Sequence, residues 1–217
     1  SLQKLDDKVY AVPLDQMANV VFYNKDIFND LGLTVPTTYT EFIDTCKALK
    51  DAGYAACAAG YQDQISIGAN FYTMFYGTPY LSCENYVDET QNQGKSWGEY
   101  PTFAQALTQF REIIGYQNED CRTITTDRAE QLFANGESGM IIIGTWGLGA
   151  IMNYNPDLNC GGFMYPSEEK AEDNAIPLNT DDCWMILNDT PNADIADAFF
   201  EYMTRKDVNA NWIGTVG

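Results

Sequence analysis

The chain contains no histidine among its 217 residues. That removes the side chain most often used as a general base near neutral pH, and with it Ser–His and Cys–His nucleophile pairs and most catalytic zinc sites. Positive charge is scarce as well: 12 Lys and Arg stand against 31 Asp and Glu, for a net charge of −19 and an isoelectric point near 4.1. Such a surface repels nucleic acid and anionic lipid, and its simplest consequence is solubility. No apolar run approaches the roughly 18 residues of a membrane span, and no signal peptide or lipidation cysteine is recognisable. GxSxG, the P-loop and GxGxxG are all missing. Asp181-Asp182 lacks the spacing of a calcium loop. No cofactor and no metal site is expected.

What is present suffices for a real core: 45% of residues are apolar and 13% aromatic, which argues against disorder. The length fits one large domain or two small ones. Helix and strand signals alternate, the α/β pattern, and a small mixed sheet flanked by helices is expected. Thr38-Tyr-Thr-Glu41 reads as a capping box, with Phe42, Ile43, Cys46 and Leu49 following at helical spacing up to Gly53. Residues 54–59 read as a short strand and 67–76 as an aromatic-rich helix, while 78–101 read as a loop. Thr102-Phe-Ala-Gln105 reads as a second capping box, and Asp127 as the cap of a helix that stops at Gly136. Residues 139–144, with Ile141, Ile142 and Ile143 at their centre, read as a buried central strand, too short and too β-branched for a helix. A helix over 146–154, strands over 162–165 and 183–187, and a last helix capped by Asn192 and closed by Arg205 and Lys206 complete the reading.

The six cysteines show no CxxC pair, so a zinc knuckle or thioredoxin-type motif is improbable. Cys46 and Cys57 fall in apolar contexts that suit buried free thiols as well as a bridge. Cys83 and Cys121 lie in polar, loop-like surroundings and are the better bridge candidates.

Two stretches carry the functional signal. In KVYAVPLDQMANVVFYNKD, residues 8–26, the polar Asp15, Gln16 and Asn19 stand between a strand closed by Pro13 and a second apolar run. In FANGESGMIIIGTW, residues 133–146, Trp146 follows Gly144 and Thr145 at the carboxyl end of the buried strand, where ligands of α/β folds lie. A tryptophan face there suits the C–H face of a sugar. The bland alternatives are a polar turn for the first group and a core tryptophan for the second. Tyr61, Gln62 and Asp63 follow Gly60 at the end of another expected strand, although an Asp in such a loop is more often a helix cap or turn former. Tyr72 lies at near-helical spacing among aromatics, and Asp181 precedes the strand at 183. Thirty-one carboxylates make some close pair inevitable, so a glycosidase-like pair is a weak signal.

The first stretch resembles the "GVPYDTN…YYNKDLF" segment, and the second the "F..GE.AM...G.W" segment, of bacterial extracellular solute-binding proteins of the maltodextrin-binding-like branch. The order of further motifs, PTTYTEF and ADAFFEYM among them, supports the likeness. The resemblance implies a periplasmic-binding-protein-like lobe and a receptor that binds carbohydrate without chemistry. It also implies delivery to the permease subunits of an ABC transporter. The family places Trp146 on the sugar and Asp15, Gln16 and Asn19 along the cleft; Tyr61, Asp63, Tyr72 and Asp181 are further ligand candidates. It implies an extracellular or periplasmic location, lipid-anchored in the full-length protein. By the same comparison, residues 14–180 form most of a second lobe, incomplete at its C-terminal helices, and residues 1–13 and 183–217 belong to the first lobe and hinge. A piece of a longer protein is expected, and a homodimer through the exposed first-lobe segments is a corollary. A glycan-active enzyme or a receptor for a non-sugar solute are the alternatives.

Overall fold

The computed structural model describes residues 3–5, 8–13, 15–76, 86–176, 178–180 and 182–216. They fall into two units, Ala18–Pro177 and a smaller one assembled from Ser1–Met17 and Leu178–Gly217. In chain order the first elements are β1 (Gln3–Leu5), β2 (Lys8–Pro13), β3 (Gln16–Asn24), α1 (Lys25–Asp30), α2 (Tyr39–Asp51), β4 (Ala55–Ala58), α3 (Gln64–Tyr76), α4 (Tyr86–Gln91) and α5 (Pro101–Ile114). Then follow α6 (Thr126–Ala134), β5 (Ser138–Gly144), α7 (Gly147–Tyr154), β6 (Cys160–Phe163), β7 (Leu178–Thr180), β8 (Cys183–Trp184), α8 (Ala193–Met203) and α9 (Lys206–Val216).

The larger unit is built around β5, whose seven residues are all buried. It lies inside the order β4-β5-β3-β6, parallel to β4 and antiparallel to β3, so the sheet is mixed as expected. Alternation along the strands sends side chains to two cores. Val21, Met140 and Ile142 pack with Phe42, Cys46 and Leu49 of α2, Met74 of α3 and Ile113 of α5. Phe22, Ile141 and Ile143 pack with Leu132 and Phe133 of α6 and Ile151 of α7. Each fully buried isoleucine contributes about 1.5–3 kcal/mol, and burial on both faces is why the Ile triplet forms a central strand.

The helix starts are partly as expected. Thr38 and Glu41 form a reciprocal capping box on α2, and Gly53 adopts φ +92° just past its end. The second box does not form. Pro101 starts α5 two residues earlier than the box implies, Tyr100 occupies the cap position without a side-chain bond, and the Thr102 hydroxyl is buried without a partner. Thr125, not Asp127, caps α6, its hydroxyl accepting from the Arg128 amide; Asp127 sits in the first turn. The polar crossing is not a turn: β3 begins at Gln16 and carries Asn19 inside the strand, paired with Gly144. The strand expected at 183–187 is confined to Cys183–Trp184, and Arg205 pairs with Asp207 instead of closing α8. Part of the expected loop 78–101 is helical, as α4.

In the smaller unit, β1, β2 and β8 form a three-stranded sheet, with Val12 opposite Trp184. Trp184 stacks on Phe199 of α8 with ring centroids 5.0 Å apart. Among its described residues only Ala11 and Met203 are buried apolar side chains, while Leu187 and Ile195 are 69% and 70% exposed. A groove of about 400 Å³ lined by Trp184, Leu187, Phe199 and Phe200 opens on this surface.

Cys46, Cys57, Cys121, Cys160 and Cys183 are free thiols. Cys121 is buried, and its expected bridge partner Cys83 lies outside the described residues. The neighbouring Cys57 thiol and burial together hold the Cys46 thiol well above its usual range, which suits an inert core position. No described helix is long and apolar enough to cross a membrane.

Candidate functional site

Because β4 and β5 are parallel, their carboxyl ends meet one edge of the sheet, and antiparallel β3 brings its amino end there too. That edge therefore gathers Asn19, the turn Thr145–Trp146 and the loop 60–66, whose last three residues are the first turn of α3. Thr145 prolongs the β3–β5 ladder by one step: its amide donates to the Ala18 carbonyl at 2.8 Å, and its hydroxyl accepts from the Ala18 amide at 3.3 Å. Trp146 follows in the αR region as the cap residue of α7. Its indole folds back over the strand end, so that a Cβ on Gly144 would lie 2.1 Å from Nε1. The residue remains 42% exposed, which removes it from the core.

Asn19 stands directly opposite Gly144. Cross-strand partners point to the same face, so the Asn19 amide shares the face covered by the indole. Asn19 is only 3% exposed, yet its side chain makes no hydrogen bond among the described residues.

The loop after β4 is held from within. The Tyr61 amide donates to the Cys121 carbonyl at 2.6 Å and the Gln62 amide to the Ile124 carbonyl at 3.0 Å. The Tyr61 ring packs against Phe110, and its hydroxyl accepts from Gln117 Nε2 at 2.7 Å beside Asn70. Burial pushes this phenol well above its usual range. Asp63 Oδ2 accepts from the Thr126 amide at 2.7 Å, and Oδ1 accepts from the Thr126 hydroxyl and the Ile65 amide. Burial works to raise the Asp63 carboxyl, but these bonds outweigh it and hold it below the ordinary carboxylate range. Glu130, one turn along α6 and 5% exposed, has no such donors; burial, with Asp127 and Asp63 nearby, pushes it up to about 7.

The structure thus brings Trp146, Asn19 and the Tyr61–Asp63 loop to one edge, but engages the polar groups of Tyr61 and Asp63 with partners from the protein itself. Asp15 and Gln16 are exposed in the smaller unit, where Asp15 Oδ1 accepts from the Asp182 amide at 3.1 Å. Tyr72 is half-buried on α3, and Asp181 lies outside the described residues. Sequence reasoning missed Asn70, Gln117, Thr126 and Glu130. Only Ser66 and Asn70, four apart on the buried side of α3, left a trace, as polar positions on an apolar face. Among the described residues no Asp, Glu, Cys group has a metal-holding arrangement. A groove of about 420 Å³ lined by Tyr39, Gln105, Gln109 and Glu168 involves none of the site candidates.

The sequence profile of the bacterial extracellular solute-binding proteins matches residues 2–210. The chain belongs to that family. A multiple sugar-binding protein of Streptococcus mutans serotype c is 28% identical over 207 residues, covering 93% of this chain and 48% of that relative. The chain thus spans about half the length of the relative. Among solved structures, a chitin oligosaccharide binding protein superposes with a TM-score of 0.86 at 20% identity, over 100% of this chain and 56% of that one. The solute-binding protein RafE in complex with raffinose gives 0.77 at 26% identity, over 94% and 54%. This solute-binding protein therefore has the periplasmic-binding-protein-like fold, and its family is extracellular.

Proposed function

We propose that the edge formed by Trp146, Asn19 and the loop 60–66 is one wall of a carbohydrate-binding site in the receptor of an ABC importer. The observation that carries the reading is the pairing of an exposed indole, seated over Gly144, with the Asn19 amide on the same face. An aromatic plane supplies apolar area to the C–H face of a sugar, and an amide supplies both a donor and an acceptor to its hydroxyls. The sugar-binding relatives support the same ligand class.

On this reading the protein binds and releases its ligand unchanged and presents it to the permease subunits in the membrane. A glycosidase would need one protonated and one ionised carboxylate facing a substrate. Glu130 and Asp63 differ in the right sense, but Glu130 is 5% exposed and both Asp63 oxygens already accept from Thr126. Residues 14–180 are assigned to the second lobe and residues 1–13 and 183–217 to the first, with the remaining length of both lobes supplied by a longer, lipid-anchored polypeptide.

A thermal-shift screen of the intact polypeptide with raffinose, chitin oligosaccharides and other di- to tetrasaccharides tests this. At least one sugar is expected to raise the midpoint, while aryl glycosides stay unhydrolysed. No shift with any sugar, or turnover of the glycosides, would sink the reading.

A further inference from the structure

The Asp63 carboxylate reaches the first turns of two helices at once. Oδ1 accepts from the Ile65 amide at 3.1 Å, in the first turn of α3, and from the Thr126 hydroxyl at 2.5 Å. Oδ2 accepts from the Thr126 amide at 2.7 Å, at the start of α6. The Thr126 hydroxyl in turn accepts from the Ser66 amide at 3.1 Å, and the Ser66 hydroxyl accepts from the Gly60 amide at 3.3 Å. Gly60, Ser66, Thr126 and Asp63 thereby close a circuit that ties both ends of the loop 60–66 to α6. The approach is tight: a Cβ on Gly60 would lie 2.0 Å from the Thr125 carbonyl oxygen. A carboxylate is the one side chain that can accept several such donors while its charge sits at two helix amino ends.

We propose that Asp63 is a positioning residue: it clamps the loop 60–66 to α6, sets where Tyr61 and Gln62 stand at the carboxyl end of β4, and does not itself touch ligand. This rests on the carbohydrate reading of the same edge. Exposed Gln62, whose backbone the Ile124 carbonyl holds, is then the loop side chain left to face a sugar. A direct ligand contact and a clamp make different demands on Thr126. A contact residue acts independently of the Thr126 hydroxyl, whereas a clamp shares that bond, so loss of either side chain loosens the same segment and the two losses are not additive.

The test uses Asp63→Asn, Thr126→Val, their double variant and Thr126→Ser, which keeps the hydroxyl, all in the intact polypeptide. Hydrogen exchange of the ligand-free protein should show the amides of 60–66 opening roughly tenfold or more faster in each single variant, the scale of losing a charge-assisted hydrogen bond. The double variant should fall short of the two single effects combined, because they share one bond, and Thr126→Ser should exchange as the wild type does. Titration with raffinose and with a chitin oligosaccharide should show the same ordering in affinity. Unchanged exchange in Asp63→Asn, or an affinity loss in Asp63→Asn that Thr126→Val does not share, would overturn the proposal. If Asp63→Asn does not fold, the contrast between Thr126→Val and Thr126→Ser decides the clamp. A wild type that binds neither sugar counts against the ligand class, while the exchange experiment still decides the clamp.

Discussion

Trp146 is available at the surface because residue 144 has no side chain. A Cβ there would lie 2.1 Å from the indole Nε1, and since the clash is with a ring, the indole has to leave. Gly144→Ala is therefore expected to weaken sugar binding about as much as loss of the ring itself, roughly 1–3 kcal/mol, measured by calorimetry. Full affinity in that variant would show that the seat over residue 144 does not matter. Glu130 gives a second prediction. Its carboxyl titrates near the ordinary 4.5 when unfolded and near 7 when folded. Between those values the folded chain holds more protons, so this residue's contribution to stability falls as pH rises from about 4.5 to about 7 and is level above. Glu130→Gln removes that loss. It should exceed the wild type in stability by on the order of 1–3 kcal/mol at pH 8, with no such gain at pH 4. Denaturant titrations at both pH values check it, and an equal difference at the two would contradict the assignment.

At the scale of elements, Thr102 and Asp127 show where local pattern stops being informative. Thr102-Phe-Ala-Gln105 has the letters of a capping box, but Pro101, with its φ already set for a helix, takes the first position and carries Thr102 into the turn. The buried, unpartnered hydroxyl that results should be dispensable. Thr102→Val is expected to be neutral or stabilising by up to about 1 kcal/mol, where an N-cap threonine would cost about 1 kcal/mol on replacement. Midpoint shifts in urea separate the two. The strand β5 and helix α2 were legible because their signals are local: a β-branched triplet between glycines, and a threonine and glutamate three residues apart. Trp146 was legible for the same reason, as the residue just beyond a strand end. Asn19 was legible as a polar letter before an apolar run, though not its place inside β3 opposite Gly144. The engagement of Tyr61 and Asp63 with partners from the protein itself was not legible. It depends on Gln117 and Thr126, 56 and 63 positions away, which only the fold brings near.

For the molecule as a whole, the two units differ in how far they bury their apolar residues. The larger has two cores on either face of its sheet. The smaller leaves Met185, Leu187, Ile195 and Phe199 at 62%, 69%, 70% and 53% exposure, a patch of the kind that marks an interface. A 217-residue polypeptide is expected to self-associate through it despite a net charge of −19, and the pair Leu187→Glu with Ile195→Glu should shift it toward monomer in sedimentation velocity. A polypeptide that stays monomeric as concentration rises would contradict this.

The central claim is that an exposed tryptophan at the end of β5 holds a sugar, and one paired measurement on Trp146→Ala in the intact receptor addresses it. Sugar affinity by calorimetry and stability by denaturant titration are read on the same variant. An affinity loss of about 1–3 kcal/mol is expected, with a stability loss well below the roughly 3–5 kcal/mol of a core tryptophan. Unchanged affinity together with a large loss of stability would make Trp146 a packing residue and contradict the account.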